Sequence, residues 1–178
     1  MKVLGLDISS ATIGWALVES LEDGPSLVEY GHIKPPKSNK GSLVYRLSCA
    51  YNKVEELFVR FRDVDYIIIE AYANKFTPGR SSARTIMVLS VFNEVVSLSC
   101  YRTLDKEPIK YAVASIRSTL SKFFNKKITS KEEAFEAIKD YFKNFTVILN
   151  RSGKIKKECY DEADAIAAAL TFIYLESN

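Results

Sequence analysis

Cysteine and histidine are scarce in this chain, and both shortages narrow what it can do. The three cysteines, Cys49, Cys100 and Cys159, are odd in number, far apart and in no C-x-x-C pair. That argues against a disulfide framework and a cysteine zinc site, and makes a reducing interior the expected home. A single histidine, His32, cannot build a multi-imidazole site. Any bound metal must then be held mainly by carboxylate oxygens, which suit Mg²⁺ or Mn²⁺ better than zinc. Apolar runs are short: none reaches the roughly 20 residues needed to span a bilayer. The N-terminus lacks the basic-then-apolar layout of a signal peptide, so a complete, cytoplasmic protein is expected. Charge of one sign is also lacking, because 25 Lys and Arg against 22 Asp and Glu leave only +3. Nucleic-acid binding must therefore be sought in local clusters. What is present, 47% hydrophobic and 26% charged residues in 178, suffices to bury a core as one domain over residues 1–178.

Three strands open the chain, over residues 2–8, 13–20 and 27–33, separated by Ser9-Ser10 and by Glu22-Asp23-Gly24-Pro25. Such short connections favour an antiparallel meander. A polar loop over 34–42 leads to a helix over 43–62, in which Leu43, Leu47, Ala50, Val54, Leu57, Phe58 and Phe61 keep a period near 3.6. Residues 64–70, VDYIIIE, read as a central strand covered on both faces. After a loop over 71–80, the stretch 81–102 is helical and apolar nearly all round, so it needs partners on two sides. A strand at 109–113, a short helix from Ser115, a helix opened by the capping box Ser130-Lys131-Glu132-Glu133 and an alanine-rich helix over 160–175 complete the chain. The order predicts an α/β protein: a mixed five-stranded sheet, its first three strands antiparallel, flanked by helices.

Acids stand at telling places in that frame. Asp7 lies near the end of the apolar first strand, where a carboxylate is costly unless it is paired or meets a cation. The plain alternative is a strand-end Asp capping the turn through Ser9 and Ser10. Glu70 ends Ile67-Ile68-Ile69, and two acids at neighbouring strand ends repel unless something positive lies between them. Asp161 and Asp164, three apart in Tyr160-Asp161-Glu162-Ala163-Asp164, share one helical face, and the alanines that follow let the helix lie close to the sheet. For Asp161 and Glu162 the alternative is a favourable first-turn interaction with the helix dipole. Phosphodiester hydrolysis needs an activated water, charge neutralisation and a stabilised leaving oxygen. Two Mg²⁺ or Mn²⁺ ions supply these, and three or four carboxylates hold them.

The fragments LGLDISSATIGWALVE, DYIIIEAYANKF, YAVASIRSTL and YDEADAIAAAL resemble, in order and spacing, the RuvC-type Holliday junction resolvases of the RNase H-like superfamily, especially their short bacteriophage members. The resemblance implies an RNase H-like nuclease with Asp7, Glu70, Asp161 and Asp164 as a catalytic, metal-binding tetrad for two Mg²⁺ or Mn²⁺ ions. It also implies paired nicks in branched DNA, the four-way junction.

For that substrate, the loop carrying Tyr72, Lys75, Phe76 and Arg80, with Arg84 beyond, interleaves rings that can stack on unpaired bases with cations that meet phosphates. The resemblance places the junction-probing aromatic here, Phe76 or Tyr72; the alternative is that Phe76 tucks onto its own domain. Lys122, Lys126, Lys127 and Lys131 form a second basic group and Arg151, Lys154, Lys156 and Lys157 a third. Either tracks a DNA backbone or is a solvated face. By resemblance, Lys127 or Lys131 approaches the scissile phosphate. The apolar helix over 81–102 offers one side to the sheet and the other to a second copy, giving a homodimer whose two-fold axis matches that of the junction; a fully buried helix in a monomer is the alternative. Competing readings are a YqgF-like nuclease acting on RNA, a non-catalytic branched-DNA-binding module, and an actin-like ATPase lobe, which would need a second lobe.

Overall fold

β1 (Lys2–Ile8), β2 (Ile13–Leu21) and β3 (Gly24–Ile33) form the antiparallel meander, and β4 (Tyr66–Ala71) and β5 (Ile109–Ala112) extend it in parallel to give the order β3-β2-β1-β4-β5. This computed structural model describes residues 1–71 and 82–177. The expected mixed sheet is present. β3 begins earlier than its sequence suggests, because Gly24 and Pro25, expected as turn, pair with Leu21 and Ser20. Pro25 is tolerated there because β3 is an edge strand and the missing N–H breaks no inner ladder.

Alternation along each strand divides the interior in two. Leu4, Leu6 and Ile8 of β1, with Ile67 and Ile69 of β4, face α1 (Leu43–Arg60) and α2 (Ala83–Leu104). Val3 and Ile68 face the opposite core, built from α3 (Val113–Phe123), α4 (Lys131–Tyr141) and α5 (Lys157–Glu176). By the same period of two, Asp7 and Glu70 fall on the α5 side. The hydroxyl oxygen of Ser42 caps α1 by accepting from the Tyr45 amide. Ala50, Val54, Leu57 and Phe58 are the buried stripe of that helix.

α2 buries Phe92, Val96 and Cys100 against α1 and the sheet, while Met87, Leu98 and Tyr101 on its other side are 56%, 50% and 51% exposed. By length and mean hydropathy this helix could also cross a bilayer, a property the short-run reading of the sequence did not register.

α5 is clasped between the sheet and α3 and α4, with residues 165–173 buried. Its approach to the sheet is a backbone contact. A Cβ added at Gly5 of β1 would lie 2.0 Å from the Ala165 carbonyl oxygen, and one at Gly14 of β2 would lie 2.1 Å from that of Asp161. Main chain cannot step aside for either. Gly14→Ala is therefore expected to cost about 3 kcal/mol in stability, the upper range for overpacking, and to lift the Asp161 turn off the sheet. Urea denaturation measures it, and a variant as stable as the parent would contradict the contact.

Candidate active site

The sheet register sets two of the acids side by side. β1 and β4 run parallel with Leu6 opposite Ile69, so the next residues, Asp7 and Glu70, end adjacent strands on one face. Asp7 does not cap the turn that follows it. Ser9 does: its Oγ accepts from the Ala11 and Thr12 amides at 3.2 and 3.0 Å and donates to the Thr12 carbonyl at 2.8 Å. From α1 the buried Arg46 steadies the same turn, donating to the carbonyls of Ser10 at 2.6 Å and Pro36 at 2.8 Å. The Asp7 carboxylate is thus left for the cleft.

α5 starts at Lys157, three residues before its expected start, so Asp161 and Asp164 belong to its second turn and only Glu158 occupies the first. The dipole explanation for Asp161 and Glu162 lapses with that shift, since the effect fades beyond the first turn. Asp161 and Glu162 then diverge. Glu162 turns to β3 and pairs with His32 Nδ1 at 2.7 Å, whereas Asp161 joins Asp7 and Asp164, each offering one carboxylate oxygen within 4.8 Å of the others. Glu70 stands outside that three-acid set but lines the same cleft, about 280 Å³ in volume.

Three cations line the cleft with the acids: Lys131, Arg117 and Lys157. The capping box is formed as its sequence promised: Glu133 Oε2 accepts from the Ser130 amide at 3.0 Å and the Glu133 amide donates to Ser130 Oγ at 3.1 Å. That box fixes Lys131 as the first residue of α4, where the helix dipole disfavours a cation. Its ammonium reaches away to Asp164 Oδ2 at 2.5 Å and Asp161 Oδ1 at 3.5 Å. Arg117 of α3 also lines the cleft, with Nη1 donating to the Thr129 carbonyl at 3.2 Å.

Burial is the first reason these acids resist ionisation, and for Asp7 and Glu70 repulsion by neighbouring acids is the second. Asp7 is held well above the usual carboxylate range by burial and then by Glu70 and Asp164. Glu70 is pushed up to about 7 by burial and by Asp164, against the pull of Lys131 and Arg117. Asp161 and Asp164 are raised by burial and held back chiefly by Lys131. Burial lowers Lys131, but the charge and hydrogen bond of Asp164 outweigh it and leave its pKa raised. The second oxygen of Asp161, Oδ2, is buried without a hydrogen-bond partner. Converging acids with raised pKa values and an orphaned carboxylate oxygen fit a hard divalent cation. Asp7, Asp161 and Asp164 are the group that could hold it.

Of the basic residues named from sequence, Lys131 alone pairs with the acids, and Lys157 lines the rim of the cleft. Lys126 and Lys127 are exposed in the α3–α4 connection, Lys156 is exposed just ahead of α5, and Arg84 is exposed in the first turn of α2. Tyr72, Lys75, Phe76 and Arg80 lie outside the described residues. Arg117 was not anticipated: a single arginine in a short amphipathic helix gives no signal of its own.

No family model matches the chain. Among curated proteins it is 28% identical over 177 residues to the crossover junction endodeoxyribonuclease RuvC of Finegoldia magna, covering 98% of this chain and 93% of that protein. The enzyme of the same name from Campylobacter lari is 28% identical over 171 residues, covering 96% and 94%. Among solved structures, T. thermophilus RuvC in complex with a Holliday junction substrate superposes with a TM-score of 0.73 at 17% identity, over 100% of this chain and 97% of that one. Over nearly its whole length the chain is similar to RuvC, in sequence and in fold. The shared fold accounts for the order of the five strands and for α5 lying across them.

Proposed function

We propose that this RuvC-like chain is an endodeoxyribonuclease that resolves four-way DNA junctions by paired nicks. The observation that carries the proposal is the convergence of Asp7, Asp161 and Asp164 within 4.8 Å beside a buried, unpartnered Asp161 oxygen. With Glu70 these acids would hold Mg²⁺ or Mn²⁺, two ions at full occupancy. Such ions, when bound, supply an activated water and neutralise the phosphoryl oxygens. The chain's own part is to fix the acids on strand ends and a clasped helix, and to offer Lys131 and Arg117 as cations toward a bound phosphate. Asp7, Glu70, Asp161 and Asp164 being intact speaks against a non-catalytic module.

The substrate assignment draws on the printed names of the relatives, which are crossover junction endodeoxyribonucleases. It is supported by the solved neighbour, which binds a Holliday junction. A homodimer is part of the proposal: the exposed apolar side of α2, with Met87, Leu98 and Tyr101, would pack on a second copy, and a two-fold pair would present two clefts to symmetric strands. Tyr72, Lys75, Phe76, Arg80 and Arg84 would meet the junction centre, with Lys126, Lys127, Lys131, Lys156 and Lys157 along its arms. A cytoplasmic setting goes with this reading.

The test is a cleavage panel of four-way junction, duplex, single-stranded DNA and RNA–DNA hybrid in Mg²⁺ and Mn²⁺. Symmetric nicks confined to the junction are expected. Preferential cutting of RNA-containing substrates would replace this reading with a ribonuclease.

A further inference from the structure

We propose that the hairpin over residues 147–156 is a clamp for the phosphate backbone of a duplex arm leaving the cleft; the inference rests on the nuclease reading above. Between Asp140 and Glu158 the chain has no acid but five cations, Lys143, Arg151, Lys154, Lys156 and Lys157. Arg151, Lys154, Lys156 and Lys157 are exposed, and among the described residues none of the four joins an ion pair. Mutual repulsion disfavours such a cluster in a chain that needs it only for folding.

The segment is nevertheless built to hold its shape. Leu149 bridges Ile155 in antiparallel fashion, and the Asn150 and Lys156 amides donate to the Lys154 and Ile148 carbonyls at 2.7 and 2.9 Å. At the tip, Asn150 Oδ1 accepts three hydrogen bonds, from Ser152 N, Ser152 Oγ and Lys154 N at 2.9, 2.7 and 3.0 Å, and Gly153 turns the chain at φ 75°. The approach to the hairpin is tied to β3: Asn144 Nδ2 donates to the Leu27 carbonyl at 2.8 Å, and the Thr146 amide to the Tyr30 hydroxyl at 2.7 Å.

A pinned projection carrying only cations matches a polyanion whose charges lie at fixed spacing, because the ordering cost is already met. Continuity decides which polyanion. The basic run ends at Lys157, which lines the acidic cleft, so a strand whose ester sits among the acids would carry its flanking phosphates onto the hairpin. An anionic lipid surface would have no reason to be led into that cleft.

The experiment measures binding of a fluorescent four-way junction in EDTA by anisotropy across a range of salt concentrations. The proteins compared are the parent, Arg151→Gln/Lys154→Gln and Asn150→Ala, with melting temperatures recorded alongside. Loss of two phosphate contacts should lower the slope of log K against log salt by about 1.8 and weaken binding about tenfold or more at low salt. The melting temperature of the double variant should not move. Asn150→Ala keeps every charge and unpins the tip, so it should weaken binding with a slope close to the parent's. A double variant with the parent's slope and affinity, while the parent binds and cuts the junction, would overturn the clamp alone. A parent that fails to bind any junction would overturn the nuclease reading and the clamp with it.

Discussion

Asp7→Asn is expected to lower junction nicking by roughly a thousand-fold, about 4 kcal/mol of transition-state stabilisation, while leaving junction binding in EDTA near that of the parent. The asymmetry follows from position. Asp7 sits in the cleft among Asp161 and Asp164, whereas, Lys131 and Arg117 apart, the cations offered to DNA lie on the rim and beyond. A second outcome of the same substitution has the opposite sign. Asp7 is raised by burial, Glu70 and Asp164, so in the metal-free protein its negative charge works against the fold. The neutral amide should therefore raise the melting temperature of the metal-free protein. Loss of activity with a gain in stability is hard to produce by damaging the fold. Brisk cutting by purified Asp7→Asn would contradict the metal scheme outright.

Metal-free protein is expected to lose stability as pH rises from about 4.5 to 7, and saturating Mg²⁺ is expected to flatten that dependence. Glu70 titrates near 7 in the fold against an ordinary value of 4.5. The folded state therefore binds more protons than the unfolded chain between those values. Stability is greatest below the ordinary value and is lost as pH climbs through the folded one, by about 3 kcal/mol from Glu70 alone. Asp7, Asp161 and Asp164 are shifted in the same direction and add to the slope. A divalent ion takes the place of the protons and removes the reason for the shifts. Melting curves with EDTA and with Mg²⁺ across this range measure the effect, and superimposable curves would mean that no ion binds these acids.

Much of the fold could be read from the chain because hydrophobic periodicity and turn chemistry agree along it. The meander, the central strand ending in Glu70 and the boxed start of α4 all rest on local signals. Asp7 and Glu70 were legible for a related reason: an acid closing an apolar run has to be explained by something nearby. The structure added what local pattern cannot carry. Gly5 and Gly14 look like weak points in strands until the helix lying on them is known, since the absence of a side chain says nothing about what occupies the space. Lys131 looked like one member of a basic group with Lys122, Lys126 and Lys127. Its place in the capping box was the clue that sets it apart, because a cation at a helix start tends to turn toward acids elsewhere. The early start of α5 escaped notice because Lys157, Glu158 and Cys159 interrupt no periodic pattern and carry no strong cap.

The contact of α5 with the sheet through bare main chain at Gly5 and Gly14 has a consequence for selectivity. On the junction reading, carboxylates borne on so stiff a framework do not swing out to meet an ester held elsewhere, so the nucleic acid would have to deform to meet them. Discrimination would then lie in the pliability of the DNA. A branch point opens and bends at little cost, and a continuous double helix resists doing so.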